Sequence, residues 1–252
     1  MGVEEPLLVE LLREKRRILI FTGAGISTGS GIPDYRGPGG VWSRRQPVYY
    51  QDFLASEESR VEYWDSKLEA WEQFRDARPN ATHDAIARLE ASGRVLKVVT
   101  QNIDGLHSLA GTSPERLIEL HGTNSLVECQ SCGERTDPAR SFEKFRETRT
   151  PPRCHCNGLL KPATISFGQS LRSEDLDAAF AAASECDMAV SLGSTLSVEP
   201  AASVPLSAAR RGMPYIVVNR GETAHDELPE LSLRLEGDVA DLFAGAVVAA
   251  LR

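Results

Sequence analysis

No apolar run in this 252-residue chain approaches the ~18 to 20 residues that a bilayer-crossing helix needs. The longest, such as Ile18 to Phe21 and the alanine-rich Gly245 to Leu251, fall far short, so a transmembrane helix is excluded and no membrane partner is expected. Basic residues are in deficit: 28 Lys and Arg stand against 36 Asp and Glu, a formal charge of −8. That balance argues against a general binder of phosphate backbones, so nucleic acid is not an expected partner. Aromatic residues are sparse at 6%, yet 41% hydrophobic and 25% charged residues lie within the soluble globular range, which excludes disorder across the chain. Internal repeats, long charge runs and low-complexity tracts are absent. The opening Met1-Gly-Val-Glu-Glu-Pro6 places acids where a leader needs basic residues, so the expected location is cytoplasmic.

The length exceeds the ~100 to 150 residues commonest for one domain, which predicts one large α/β domain or a domain with a smaller insert. Apolar runs at 17–22, 95–100, 188–192 and 215–219 read as buried strands. Helical patterns at about 3–15, 51–76, 81–92, 173–185, 199–211 and 238–251 alternate with them, which predicts a parallel sheet covered on both faces. Residues 124–160 break the rhythm with four cysteines and three prolines and read as an inserted small module. The weakly patterned stretch 38–76 is a second excursion, expected to pack on that module.

Glycines follow the first strand at once, in Gly23-Ala24-Gly25-Ile26-Ser27 and on to Gly31-Ile32-Pro33-Asp34-Tyr35-Arg36. Backbone N–H groups at a strand's carboxyl end suit a pyrophosphate, and glycine lets a ligand approach closely. The dinucleotide fingerprint stops short, because position 28 is Thr28 and no second strand ends in an acid some 20 residues on. A nucleotide site and a structural turn therefore both remain open on this motif alone. Two residues separate Cys129 from Cys132 and one separates Cys154 from Cys156, a grouping that in a reducing compartment predicts a structural tetrahedral zinc rather than two disulfides. Cys186 stands alone and reads as a small core side chain. His121, followed by glycine at a strand exit, is a candidate general base. His83 and His107 read as structural, His155 could compete as a zinc ligand although four cysteines suffice, and His225 has no supporting context.

Together these motifs resemble a sirtuin, a family of NAD-dependent protein lysine deacylases. The resemblance rests on the glycine loop through Arg36, Thr100-Gln101-Asn102-Ile103-Asp104, His121-Gly122, the cysteine pairs, Phe167-Gly168, Gly193-Ser194-Thr195, Asn219 and Gly237-Asp238-Val239. It implies a Rossmann-like α/β domain over 1–37, 77–123 and 163–252. The small domain would be formed by the helical excursion 38–76 and the zinc-binding module 124–162, with NAD between the two domains. By resemblance Gly23, Ala24, Gly25, Ser27, Gly193, Ser194, Asn219 and Val239 contact the adenosine half of NAD. Asp34, Tyr35, Arg36, Gln101, Asn102, Ile103 and Asp104 surround its ribose and nicotinamide. His121, Asn102 and Asp104 are the implied catalytic residues, and zinc sits on Cys129, Cys132, Cys154 and Cys156. An acylated-lysine protein substrate would add as an extended peptide along Ile165, Phe167, Gly168, Leu196 and Val198. The family reaction releases nicotinamide, O-acyl-ADP-ribose and free lysine. An NAD glycohydrolase or ADP-ribosyltransferase is the alternative.

Three departures from the family pattern stand out. Cys154 and Cys156 have one residue between them where two are usual, Gln169 stands where many members have Glu, and Gly-Ser-Thr replaces Gly-Thr-Ser. A Tyr-x-x-Arg pair for acidic acyl groups is not evident, since Tyr63 leads to Ser66 and Trp64 to Lys67, so acetyl or another neutral acyl group is expected.

Overall fold

The computed structural model describes residues 4–34 and 46–252. Its strands are β1 (Ile18–Thr22), β2 (Val95–Thr100), β3 (Leu117–Glu119), β4 (Gly122–Cys129), β5 (Arg135–Thr136), β6 (Leu160–Thr164), β7 (Met188–Leu192), β8 (Tyr215–Asn219) and β9 (Leu233–Glu236). Its helices are α1 (Glu4–Glu14), α2 (Tyr50–Ala55), α3 (Glu57–Asp76), α4 (Ala81–Ala91), α5 (Leu106–Leu109), α6 (Pro138–Thr148), α7 (Ser173–Glu185), α8 (Ser203–Arg210) and α9 (Gly245–Ala250).

Six strands form one parallel sheet in the order β3-β2-β1-β7-β8-β9. The order reverses at β1, whose neighbours leave in opposite directions, and a crevice opens there at the carboxyl ends. Strands β1, β7 and β8 are buried at every residue, as expected of continuous apolar runs covered on both faces. Alternation sorts their side chains. Ile18, Ile20, Ile216 and Val218 pack with Leu8 and Leu12 of α1, Ile86 and Leu89 of α4 and Val247 of α9. Leu19, Phe21, Tyr215 and Val217 face the opposite layer, made of Ala179, Ala182 and Ala183 of α7 and Val204 and Ala208 of α8. The small side chains of α7 let that helix lie close to the sheet. Each fully buried Leu or Ile contributes about 1.5 to 3 kcal/mol.

The stretch that broke the strand–helix rhythm forms a second sheet, antiparallel, in the order β5-β4-β6. Sequence periodicity did not reveal β4, β6 or α6 because much of their apolar partnership comes from elsewhere in the chain. Val127 of β4 and Phe142 and Phe145 of α6 pack against Phe53 of α2 and Tyr63 and Trp64 of α3. Helix α6 begins on an Asp137 cap with Pro138 at its first position, and its aromatics stack on α3, with Trp71 and Phe142 ring centroids 4.6 Å apart. The expected helix 51–76 is broken at Ser56, whose side chain caps α3 by accepting from the Ser59 N–H. The helix expected over 199–211 starts only at Ser203, and the last one opens with a π turn over Ala240–Ala244.

Candidate functional site

The glycine loop leaves β1 in two short 3₁₀ turns, Ala24–Ile26 and Thr28–Ser30. Its glycines are needed for a reason the motif alone does not disclose. A Cβ on Gly25 would come within 2.8 Å of the Gly193 Cα, and one on Gly23 within 2.7 Å of the Gly193 carbonyl oxygen. The loop is thus pressed backbone to backbone on the turn after β7, and the Gly25 N–H donates to the Gly193 carbonyl at 2.8 Å. Structural packing and ligand approach, the two readings left open by the sequence, act on the same glycines.

Strand β2 delivers Gln101 to Asp104 alongside that loop. The Ser27 hydroxyl donates to Asp104 Oδ2 at 2.7 Å, and the Leu106 N–H donates to Asp104 Oδ1 at 2.9 Å. Asn102 Nδ2 donates to the Gly23 carbonyl at 3.1 Å and to Ser27 Oγ at 3.2 Å. Asn102, Ile103 and Asp104 are buried, and with Ala24, Ser27, Ile32 and Phe74 they line a small cavity at the switch point. Gln101 Nε2 reaches across to Ser194 Oγ at 2.8 Å, and the same oxygen accepts from the Leu196 N–H at 3.1 Å. The Ser194 hydroxyl thereby stitches β2 to the turn after β7. Farther along the edge, buried Asn219 folds its amide onto the carbonyls of Arg220 and Gly221, and Val239 is buried at the start of the last helical segment. Asp34 is partly buried in the same loop, whereas Tyr35 and Arg36 lie outside the described residues.

His121 follows β3 with its ring about the same edge. Its Nδ1 lies 3.0 Å from the Gln101 carbonyl oxygen. A carbonyl only accepts, so Nδ1 carries the proton and Nε2 is left as a free base. Burial lowers the imidazole pKa, opposed by that backbone bond, and the ring stays neutral near pH 7. Gly122 has φ +72, and a Cβ there would lie 2.1 Å from the Ala163 carbonyl oxygen of β6. The Ile165 N–H then donates to the His121 carbonyl at 2.8 Å, so β6 passes directly beside the histidine.

Beyond Ile165 the Phe167 carbonyl accepts from the Tyr50 N–H at 2.8 Å, with Phe167 itself exposed. Gln169 Oε1 accepts from the Ser166 N–H at 3.1 Å, which closes the turn through Gly168, φ +77. The Gln in place of the more usual Glu therefore caps a turn. Leu196 is buried with φ +55, and Val198 is partly buried.

Two groups, Glu119 and Lys161, escaped the sequence reading. Glu119, two residues before His121, is pushed up to about 7 by burial, then by the Asp104 and Asp175 carboxylates. Its position at a strand end beside the histidine was the available signal. Tyr63 and Lys161 are both buried, with Lys161 Nζ 5.7 Å from the Tyr63 ring centroid. Burial alone would raise the Tyr63 phenol, but Lys67 and Lys161, with hydrogen bonds from Thr164 and Ser166, bring it down to about 8.

The four module cysteines converge, all four sulfurs lying within 4.8 Å of one another. Cys129 and Cys156 sulfurs are 3.5 Å apart and those of Cys132 and Cys154 3.8 Å. Tetrahedral zinc with Zn–S bonds of about 2.3 Å would separate neighbouring sulfurs by about 3.8 Å, so the residues fit that ion. The shortened Cys154-His155-Cys156 spacing is absorbed by a tight turn with Asn157 at φ 66 and the Cys154 N–H bonded to the Gly158 carbonyl. Gly158 has no room for a side chain, since a Cβ would lie 2.5 Å from the Cys129 sulfur. His155 pairs with Glu134 at 2.9 Å, and these two with Cys154 make a second, overlapping group of donor atoms.

The model of the Sir2 family matches residues 23–200. The chain is 40% identical over 245 residues to NAD-dependent protein deacetylase 1 of Bradyrhizobium diazoefficiens, covering 97% of this chain and 96% of that one. It is 39% identical to the NAD-dependent protein deacetylase of Rhodopseudomonas palustris over 97% and 96% of the two chains. Among solved structures, a Sir2 protein with a p53 peptide and NAD+ superposes with a TM-score of 0.86 at 35% identity, covering 98% of each chain. A Sir2 protein bound to an acetylated peptide does so with a TM-score of 0.86 at 34% identity, again over 98% of each.

Proposed function

The chain belongs to the Sir2 family and is an NAD-dependent protein deacetylase, and from that premise we propose that His121 Nε2 is its general base. The observation that carries the assignment is the 3.0 Å contact of His121 Nδ1 with the Gln101 carbonyl, which leaves Nε2 unprotonated. In this reading His121 takes a proton from a ribose hydroxyl of the bound substrate. The reaction turns acyl-lysine, NAD and one water into free lysine, nicotinamide and O-acyl-ADP-ribose.

Asp104, held by the Ser27 hydroxyl and the Leu106 N–H, presents a fixed carboxylate beside the nicotinamide end, with Ile103. Asn102, tied to Gly23 and Ser27, orients the ribose. Developing positive charge on that ribose meets a neutral imidazole and a preorganised carboxylate. Gly23, Ala24, Gly25, Gly193, Ser194, Asn219 and Val239 receive the adenosine half, with Asp34, Tyr35, Arg36 and Gln101 toward the ribose. The acylated lysine arrives on an extended peptide between the two sheets, along Ile165, Phe167 and Gly168 on one side and Leu196 and Val198 on the other. The boundary between domains follows the segments 38–76 and 124–162.

Cys129, Cys132, Cys154 and Cys156 hold one structural zinc. Bound there, the ion cross-links a stretch that has few apolar side chains of its own. The deciding experiment is mass spectrometry of the products formed from NAD and an acetyl-lysine peptide. Equal amounts of deacetylated peptide and O-acetyl-ADP-ribose are expected, whereas ADP-ribose with the peptide still acetylated would identify a glycohydrolase.

A further inference from the structure

His83 and His107 are fully buried and were assigned to structure by the sequence, yet neither is satisfied. His83 Nε2 and His107 Nδ1 have no hydrogen-bond partner among the described residues. Their rings lie 5.1 Å apart, edge to face. The remaining nitrogens constrain the protons. The Asn80 N–H can only donate, so His83 Nδ1 accepts from it at 3.4 Å and the His83 proton is on Nε2. His107 Nε2 lies 2.9 Å from Thr22 Oγ1, whose own proton goes to Thr100 Oγ1 at 2.8 Å. Thr22 therefore accepts from His107, which leaves His107 Nδ1 bare. The two unpartnered atoms are then a donor and an acceptor of matching sense. With the His107 proton on Nδ1 instead, two buried N–H donors would confront each other, each at the cost of an unmade bond.

We propose that His83 and His107 are a neutral pair with fixed tautomers that positions both rims of the cofactor cleft. Two bonded runs meet at the edge-to-face contact of the rings, one from the Asn80 N–H to His83 and the other from His107 to Thr22 and Thr100. At one end Asn80 Nδ2 grips the glycine loop, donating to the Ile26 carbonyl at 2.7 Å and to Ser30 Oγ at 2.9 Å. At the other, Thr100 Oγ1 accepts from the Asn102 N–H at 3.0 Å. Asn102 and the loop are the two sides of the site assigned to NAD, so the inference rests on that assignment. Burial, which lowers both imidazole pKa values, keeps the pair uncharged despite Asp104 and Asp84 near His83. Both are positioning residues, since neither touches the reacting atoms.

The test has two arms. Long-range proton–nitrogen spectra of the full chain labelled with ¹⁵N-histidine, without NAD, should show His83 and His107 both protonated on Nε2 alone at pH 7.5. Either ring protonated on Nδ1 overturns the proposal. In the second arm, His107→Phe keeps the ring and removes both nitrogens, while His107→Gln places an amide N–H near the Nε2 position. Calorimetry should show NAD binding weakened about tenfold by Phe, the loss expected of one buried hydrogen bond, and largely recovered by Gln, with KM for NAD rising more than kcat falls. NAD binding within twofold of the parent in the Phe protein overturns the proposal. A parent that does not bind NAD refutes the cofactor site instead, and the spectra still judge the pair. They also judge it if the Phe protein fails to fold.

Discussion

A single backbone carbonyl, that of Gln101, decides which nitrogen of His121 can act as base. His121→Ala should lower kcat for deacetylation by about 10²- to 10⁴-fold, with NAD binding by calorimetry retained. Steady-state rates within a few-fold of the parent would refute the role. His107 sets a second prediction at this scale. Burial, helped by the neighbouring His83, holds it neutral down to about pH 3, whereas in the unfolded chain it titrates near ~6.5. Its folded pKa is depressed, so its contribution to stability is complete above about 6.5 and is lost as pH falls from there toward 3. The cost grows by about 1.4 kcal/mol per pH unit. Denaturant unfolding between pH 6 and 4.5 should therefore show the parent losing stability more steeply than His107→Gln by about that slope, and parallel curves would contradict it.

Among the elements, β4 depends on a residue with no side chain. Gly122 sits at φ +72 with the Ala163 carbonyl where a methyl group would go, so Gly122→Ala should cost about 3 kcal/mol or more. Gly111 has φ +97 but open space around it, and Gly111→Ala should cost only about 1 to 2 kcal/mol by the same chemical denaturation. On the proposed zinc site, metal–thiolate bonds stand in for a large core in the module, so the purified protein should carry one zinc per chain by elemental analysis. Cys132→Ala should lose it and expose the module to protease before the parallel sheet unfolds. A metal-free Cys132→Ala protein as protease-resistant as the parent would show that the four sulfurs do not organise the module.

At the scale of the molecule, the candidate site lies where the parallel sheet reverses order and where β6 of the second sheet passes His121. The acyl group of the proposed substrate would be received at that meeting. Lys161, unforeseen from the helix α3 sequence, brings a second ammonium to the Tyr63 side, but its Nζ already donates to the Pro162 and Thr164 carbonyls. Lys67 Nζ lies 5.5 Å from the Tyr63 ring centroid and lacks the fork with which a guanidinium grips a carboxylate. A succinyl carboxylate would thus enter without a dedicated partner, at a cost of several kcal/mol by the usual order of magnitude for buried charge. Catalytic efficiency on acetyl-lysine should exceed that on the succinylated version of the same peptide, measured by competition at limiting NAD. A preference for succinyl-lysine would show that Lys67 or Lys161 turns to meet it.

Much was legible in the chain because it depends on neighbours in sequence. The runs that became β2, β7 and β8 had their bounds set by mostly apolar residues, and α7 by its own periodicity. The cysteine spacings identified four thiols fit for one metal, since a tight turn brings close residues together by itself. Other features required contacts between distant segments. Strand β9 is short and, among the described residues, pairs only with β8; β4 and β6 find their apolar cover on α2 and α3, and Gly25 is glycine because Gly193 lies against it. The Glu119 pKa and the His83–His107 pair likewise arise from burial among groups remote in sequence. The amino-acid order determined β1, β2, β7 and β8 of the parallel sheet and the family to which the chain belongs. Only the tertiary structure decided which atom of each residue is free to act, because burial, tautomer and close backbone approach are properties of the neighbours that folding brings together.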